Sequence, residues 1–538
     1  MSGVFNLVGD DVLYEIFCEI ALLDPPSVRR FQPSYVRIHI GCIYISHVCR
    51  RWRTILVHGM PLLWADLPCI IPAALDTIVE RAHDLPLALR TRVNFSSERD
   101  AFTTCLNFSK RLREIAITHV QRAYLFEYEP FSSIPDMGWF DALNEVHLPH
   151  LRDIRLFESR VDMSRQYEYF HRTLHAKAPN LRHAVLSIRG FVEFPPATLT
   201  SLAIESGCVE ILRQAPKGLL RILASQPLLE SLSTSFQSLD MDWQTDSAPP
   251  LPVHLEHLKD VRISSRTFPD VLAFFQRIEV PSICQIRLSV THSQSGDWHA
   301  CVRIFERIAL LERANTLSLH CVERGHYTYT LHHSPDDWDM TSPASKNGPM
   351  ALFETDFNVR GIPSPSFTDL YLAFLDLPHQ GAIRRLVFDE TIASTDCQEL
   401  SRSIQSHPSH GVISSLWLNS RSGYDLLVPQ HGEGSHSTAS PLPRVSELAI
   451  PHMHPPITDR SGVDLVPELT RAYWDHLTAL LRHRAALGYP IRRIVLLGVW
   501  ESEERRATSQ EADNRGLALV RDEGVHEIVD RRTVLRQK

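Results

Sequence analysis

One short pattern recurs along most of this chain and limits what it can fold into. It is an apolar residue, two of any kind, a second apolar residue, one of any kind, and a third apolar residue. It reads LREIAI from Leu112, LNEVHL from Leu143, LRDIRL from Leu151, LTSLAI from Leu199, LKDVRI from Leu258 and ICQIRL from Ile283. It returns as IRRLVF from Ile383, ISSLWL from Ile413, VSELAI from Val445 and IRRIVL from Ile491, with looser copies at Leu181, Leu229 and Leu317. The last three positions alternate, which is the periodicity of a β-strand.

Between these strands lie stretches with helical spacing, among them Asp270 to Ile278, Trp298 to Leu311, Thr395 to Gln405 and Glu468 to Ala486. A short apolar strand cannot bury its face alone, whereas stacked strand-and-helix units build a continuous parallel sheet backed by helices. That is the leucine-rich-repeat plan. Several copies are about 30 residues apart, as from Leu229 to Leu258 and from Ile383 to Ile413, and others are not, so the array is irregular. The Asn or Cys that ends a standard leucine-rich unit is missing, which points to a divergent form. The expected fold class is α/β: a small all-helical N-terminal module followed by an irregular leucine-rich-repeat-like solenoid. A doubly wound α/β domain is the alternative.

The N-terminus has a different periodicity. Leu7, Val12, Leu13, Ile16, Phe17, Ile20 and Ala21 fall at three- and four-residue steps, with Asp10, Asp11 and Glu15 early, as in an amphipathic helix. Asp24-Pro25-Pro26 ends it, and a variable stretch runs to about Gln32-Pro33. A second apolar run from Ile40 to Val57 holds Ile43, Tyr44, Val48, Cys49, Trp52, Ile55 and Leu56, with Arg50, Arg51 and Arg53 on the other side. Met60-Pro61-Leu62-Leu63-Trp64 then closes the unit through a Pro-initiated turn.

This arrangement resembles an F-box of the fungal type: Leu7 followed by Asp11-Val12-Leu13 and Ile16-Phe17, then Val48-Cys49-Arg50-Arg51-Trp52-Arg53, then Leu63-Trp64, with the continuation Glu80 to Arg90. Two features depart from the pattern: Val8 stands where a Pro is usual, and the gap between the helical runs is long. The resemblance implies that Leu7, Val12, Leu13, Ile16, Phe17, Ile20, Val48, Cys49, Trp52, Leu63 and Trp64 dock on a Skp-type adaptor. Through it the chain would join a cullin scaffold and a ubiquitin-conjugating enzyme. The expected division is an F-box module over 1–70, a connecting segment over 71–110 and the solenoid with a C-terminal cap over 111–538. Three polar, Pro-rich segments, Gln244 to Pro252, Ser334 to Pro349 and Gln430 to Pro443, read as loops, and LALVRDEGVHEIVDRRTVL as a closing strand.

In each strand motif the single residue between the last two apolar positions points away from the helices. Those positions are His147, Arg155, Ala203, Arg262, Arg287, Val387, Trp417, Ala449 and Val495. Arg155, Arg262 and Arg287 are candidates for a basic ladder that grips an acidic or phosphorylated segment of an unknown protein substrate, and Trp417 for an exposed binding anchor.

Composition excludes several other classes. The chain is 538 residues long, 43% hydrophobic and 22% charged, with a net charge of −8 that leaves no basic surplus for nucleic acid. No apolar run is long enough to cross a membrane, and the start is acidic where a signal peptide is basic. Ten cysteines without a C-x-x-C pair suit buried thiols in a reducing compartment, so the expected location is cytoplasmic or nuclear. There is no phosphate loop, G-x-G-x-x-G, G-x-S-x-G or H-E-x-x-H motif, and the close histidines 332/333, 407/410 and 452/454 sit in Pro- and Ser-rich surroundings. No enzyme activity, cofactor or metal is expected. The competing reading is a non-ligase interaction scaffold whose N-terminal helices cap the solenoid.

Overall fold

The computed structural model describes residues 8–32, 35–91, 102–129, 138–157, 173–187, 191–205, 216–236, 252–265, 267–281, 284–290, 303–304, 316–323, 326–332, 351–358, 384–388, 413–418, 427, 442–451, 466–497, 499–500, 503–530 and 532–534. The chain divides into two compact units, Met1–Leu258 and Lys259–Lys538.

The first unit opens with α1 (Asp10–Leu23), whose first turn carries Asp10 and Asp11 at the positive end of the helix dipole. The variable stretch that follows holds an antiparallel hairpin, β1 (Ser27–Gln32) and β2 (Tyr35–His39). Gly41 then takes φ +50, and a Cβ there would lie 2.3 Å from the Asp24 carbonyl oxygen, so only glycine fits this close approach. The second apolar run is broken into a 3-10 turn (Gly41–His47), α2 (Arg50–Thr54), a π turn (Ile55–Gly59) and α3 (Pro61–Ala65). The break comes at Cys49, whose backbone is extended and whose Sγ accepts from the Trp52 amide at 3.5 Å, starting α2 anew.

After α4 (Leu75–Arg81) come β3 (Leu87–Arg90), α5 (Phe102–Thr118), β4 (Ala123–Tyr128), α6 (Gly138–Leu143), β5 (Asp153–Phe157), β6 (Thr173–His175), β7 (His183–Ser187), β8 (Phe191–Glu193), β9 (Ser201–Ile204), α7 (Pro216–Ser225), β10 (Ser231–Phe236) and the two-residue β11 (Val253–His254). The main sheet runs β3-β4-β5-β7-β9-β10, parallel throughout and in chain order, with no reversal. It begins at Leu87, inside the stretch read from the sequence as a connector.

The first residue of each motif, Leu151, Leu181, Leu199 and Leu229, is fully buried just ahead of the strand. The amides of Leu151, Leu181 and Leu229 close a turn on the carbonyls of Leu148, Ala178 and Gln226. The next residue bonds back to its equivalent one strand earlier: Arg182 N–H to Arg152 O, Thr200 to Arg182 and Glu230 to Thr200, each at 2.8 Å. The same few residues thus terminate one unit and set the register of the next.

Two motifs are not strands. LREIAI lies in α5, where Leu112, Ile115 and Ala116 form the buried stripe, so helical spacing and the length of the flanking helix override the local alternation. LNEVHL spans the end of α6, and His147 makes only an isolated bridge to Lys177.

The second unit contains β12 (Asp260–Ser265), α8 (Phe268–Phe275), β13 (Ile278–Glu279), β14 (Gln285–Val290), β15 (Thr316–Glu323), β16 (His326–His332), β17 (Ala351–Asn358), β18 (Arg385–Phe388), β19 (Ser415–Leu418), β20 (Glu447–Pro451), α9 (Val466–Ala486), β21 (Arg493–Leu497), β22 (Val499–Trp500), α10 (Glu503–Asp522), β23 (Glu527–Asp530) and β24 (Thr533–Val534). Its sheet runs β12-β14-β17-β16-β15-β18-β19-β20-β21-β23. It is parallel except that β15, β16 and β17 form an antiparallel meander. The meander interrupts the chain order in a way the motif did not announce. LALVRD, read as part of a closing strand, belongs to α10, and the strand is β23. The helix at 298–311, apart from residues 303–304, and the helix at 395–405 lie outside the described residues, as do most of the three Pro-rich loops.

α9 carries the fully buried Arg484, whose guanidinium donates to the carbonyls of Leu442 at 3.0 Å, Val445 at 3.3 Å and Tyr489 at 3.2 Å. Burial holds this guanidinium down at about 10. It ties the helix to the turn before β20, supplying donors to carbonyls that would otherwise be buried without partners. Among the described residues no helix is long and apolar enough to cross a membrane.

Candidate functional site

The N-terminal helices divide their apolar side chains between two jobs. Leu13 and Phe17 of α1 are buried, and Phe17 meets Trp52 of α2 edge-on with ring centroids 5.1 Å apart. Trp64 of α3 is also buried. Its indole N–H donates to the Leu56 carbonyl at 3.0 Å, and the Arg81 guanidinium stands 4.4 Å above its ring. Arg51 Nε donates to Asp10 Oδ1 at 2.7 Å and ties α2 to the start of α1. Burial pushes the Cys42 thiol up to about 11, the Asp24 carboxylate adding to it, and Cys69 up to about 12. Neither thiol offers a thiolate at neutral pH.

The other apolar side chains face outward. Val12, Ile16, Leu22, Leu23, Tyr44, Val48 and Leu62 are 43 to 83% exposed, and all but one of the large exposed hydrophobics among the described residues are in this set. Val12 and Ile16 are one helical turn apart on α1, while Leu22 and Leu23 end that helix. An isolated exposed Leu means little, but a concentration of this kind in so short a segment makes the head a candidate interaction surface.

The adaptor-facing residues expected from the sequence are drawn from both sets. Of these, Val12, Ile16, Val48 and Cys49 are exposed; Ile20, Trp52 and Leu63 are half-buried; Leu13, Phe17 and Trp64 form the head's own core; Leu7 lies outside the described residues. Leu13, Phe17 and Trp64 are therefore core residues and not contact residues: α1 is apolar around more than half its circumference and only one stripe can face inward, and Trp64 is held on the Leu56 carbonyl beneath Arg81. Leu22, Leu23, Tyr44 and Leu62 were missed. The pair of leucines immediately before Asp24-Pro25-Pro26 was the available signal.

On the sheet faces the outcome differs by unit. In the first, Arg155 is exposed and its Nη1 lies 3.8 Å from Glu127 Oε2 on the neighbouring strand. In the second, Arg262 is exposed and pairs with Asp260 at 2.9 Å, while half-buried Arg287 is its register partner on β14. The structure thus brings Arg262 and Arg287 together, and Arg155 belongs to the other unit.

Trp417 is not an exposed anchor. It is 2% exposed and clusters with Val387, Ala449, Val495 and Leu497, the first three being further positions that the pattern assigned to the open face. The indole N–H donates to Ser415 Oγ at 3.1 Å and to Glu447 Oε1 at 3.3 Å, and Arg385 lies 4.9 Å over the ring. Arg385, Ser415, Glu447 and Arg493 are in register across β18, β19, β20 and β21, and Arg493 Nη1 reaches Glu447 Oε2 at 3.1 Å. That polar row satisfies the indole, so a large aromatic can be buried there at no hydrogen-bonding cost.

Comparison of the chain with models of known protein families, with curated proteins and with solved structures gives no match.

Proposed function

We propose that this chain is the substrate-binding subunit of a Skp/cullin/F-box type ubiquitin ligase. The N-terminal head docks on a Skp-type adaptor, and the strand-and-helix units behind it hold the protein to be ubiquitinated. Catalysis belongs to other subunits, and this chain contributes proximity.

The observation that carries the reading is the set of outward apolar side chains on the head, Val12, Ile16, Leu22, Leu23, Tyr44, Val48 and Leu62. A head that merely capped the following units would cover these side chains, and their exposure is what a helix-in-groove partner would use. The uninterrupted chain order of the parallel strands in the first unit supports a solenoid-like stacking over a doubly wound sheet, which reverses its order at a switch point.

The test is co-elution of the full chain with a purified Skp-type adaptor on a sizing column. Complex formation is expected for the wild type and its loss for a Val12→Asp, Val48→Asp double variant, whose thermal transition should match the parent because both sites are exposed. A wild-type chain that stays free of the adaptor at micromolar concentrations would sink the proposal.

A further inference from the structure

Where α3 meets the start of the sheet in the first unit, a cavity of about 500 Å³ is lined by Leu62, Asp66, Tyr124, Pro149, His150 and Arg152, among others. Its walls are built by the turns that precede β5 and β7, the most regular part of the repeating unit. The Asp66 carboxylate is committed, accepting from the Tyr124 hydroxyl at 2.5 Å, and burial followed by this hydrogen bond pushes the phenol up to about 12. Arg152 is different. Its backbone amide serves the ladder through the Tyr124 carbonyl, but its exposed guanidinium has no ion-pair or hydrogen-bond partner among the described residues.

Leu62, which lines this cavity, is also one of the outward apolar side chains of the head. We infer that the cavity receives an acidic segment of the same adaptor that covers the head, an apolar side chain lying on Leu62 and Pro149 and a carboxylate pairing with Arg152. This inference rests on the adaptor-binding reading and extends it to a second contact with a defined charge. A guanidinium with no partner beside an apolar wall is suited to a carboxylate, which it can grip with two parallel hydrogen bonds. Asp66 on the same cavity opposes a second negative charge, which gives the two residues opposite signs of effect.

The test measures the affinity of the full chain for a Skp-type adaptor at low and physiological salt. Arg152→Glu should weaken binding by about tenfold or more and flatten the salt dependence, as expected when a charged contact is reversed. Arg152→Lys should stay within about threefold of the parent, since the charge is kept. Asp66→Asn, which can still accept from Tyr124, should bind more tightly. If Val12→Asp abolishes binding while Arg152→Glu stays within about twofold and Asp66→Asn does not bind more tightly, the cavity contact is wrong and the head contact stands. If the wild type does not bind, the adaptor reading fails and this inference falls with it.

Discussion

Phe17 and Trp52 meet with their ring planes inclined by 64°, the edge of one ring against the face of the other. Phe17 is wholly enclosed and Trp52 half so, and this contact joins α1 to α2 from the inside of the head. Phe17→Ala should therefore act on stability first, costing about 3–5 kcal/mol through lost burial and the cavity left behind. Chemical denaturation followed by tryptophan fluorescence would show it. Ile16→Asp, one residue away but exposed, should change stability by less than about 0.5 kcal/mol while weakening adaptor binding. Equal effects of the two variants on stability would contradict the assignment of core and contact stripes.

The same distinction shows how far the sequence could be read. Strands were legible at Leu151, Leu181 and Leu229, where the buried Leu two residues ahead of the strand closes a turn as well as filling the core. Leu112 failed the test because Ile115 and Ile117 alternate while Leu112, Ile115 and Ala116 also fit a helix, and the flanking residues back to Phe102 decide for the helix. The β16 strand, HYTYTLH, carried period-2 Tyr and Thr residues that were a readable signal outside the motif. Periodicity identified α1 as apolar, yet it could not say which stripe is core, since Val12/Ile16 and Leu13/Phe17 are both spaced by one turn. That choice depends on the position of α2, a tertiary fact.

Trp417 gives a second test. Since its ring is enclosed with Val387, Ala449 and Val495 and its N–H is bonded to Ser415 and Glu447, Trp417→Ala should destabilise the second unit by about 3–5 kcal/mol. Trp417→Phe should cost less through packing but leave Ser415 and Glu447 without their indole donor. A Trp417→Ala chain with unchanged stability and impaired substrate capture would restore the exposed-anchor reading of the sequence.

Tyr124 makes stability depend on alkaline pH. Its phenol is raised from 10.0 to about 12, mainly by burial and then by Asp66, so the folded state favours the neutral form. A raised acid binds more protons folded than unfolded, and its stabilisation is intact below pH 10.0 and is lost as the pH climbs toward about 12. Tyr124→Phe removes the titrating group. The stability of the parent relative to the variant should fall between pH 10.0 and about 12, and a difference that stays constant or rises over that range contradicts the buried hydrogen-bonded phenol.

Gln226 tests whether the turn before β9 is held by a side chain as well as by its backbone. It is fully buried immediately after α7, and its Oε1 accepts from the amides of both Thr198 and Leu199 at 3.0 Å while Nε2 donates to the Pro195 carbonyl at 2.8 Å. One side-chain amide thus satisfies three backbone groups in the turn before β9. Gln226→Leu keeps the volume but orphans two donors and an acceptor away from water, at about 1–3 kcal/mol per group that finds no substitute. The expected loss is about 2–5 kcal/mol, since relaxation recovers part of it. Hydrogen exchange localises the effect: the Thr198 and Leu199 amides should exchange much faster in the variant, while those of β5, two strands away from β9, keep their protection relative to global unfolding. If Thr198 and Leu199 stay protected, the turn is held by its backbone alone and Gln226 is only a filler.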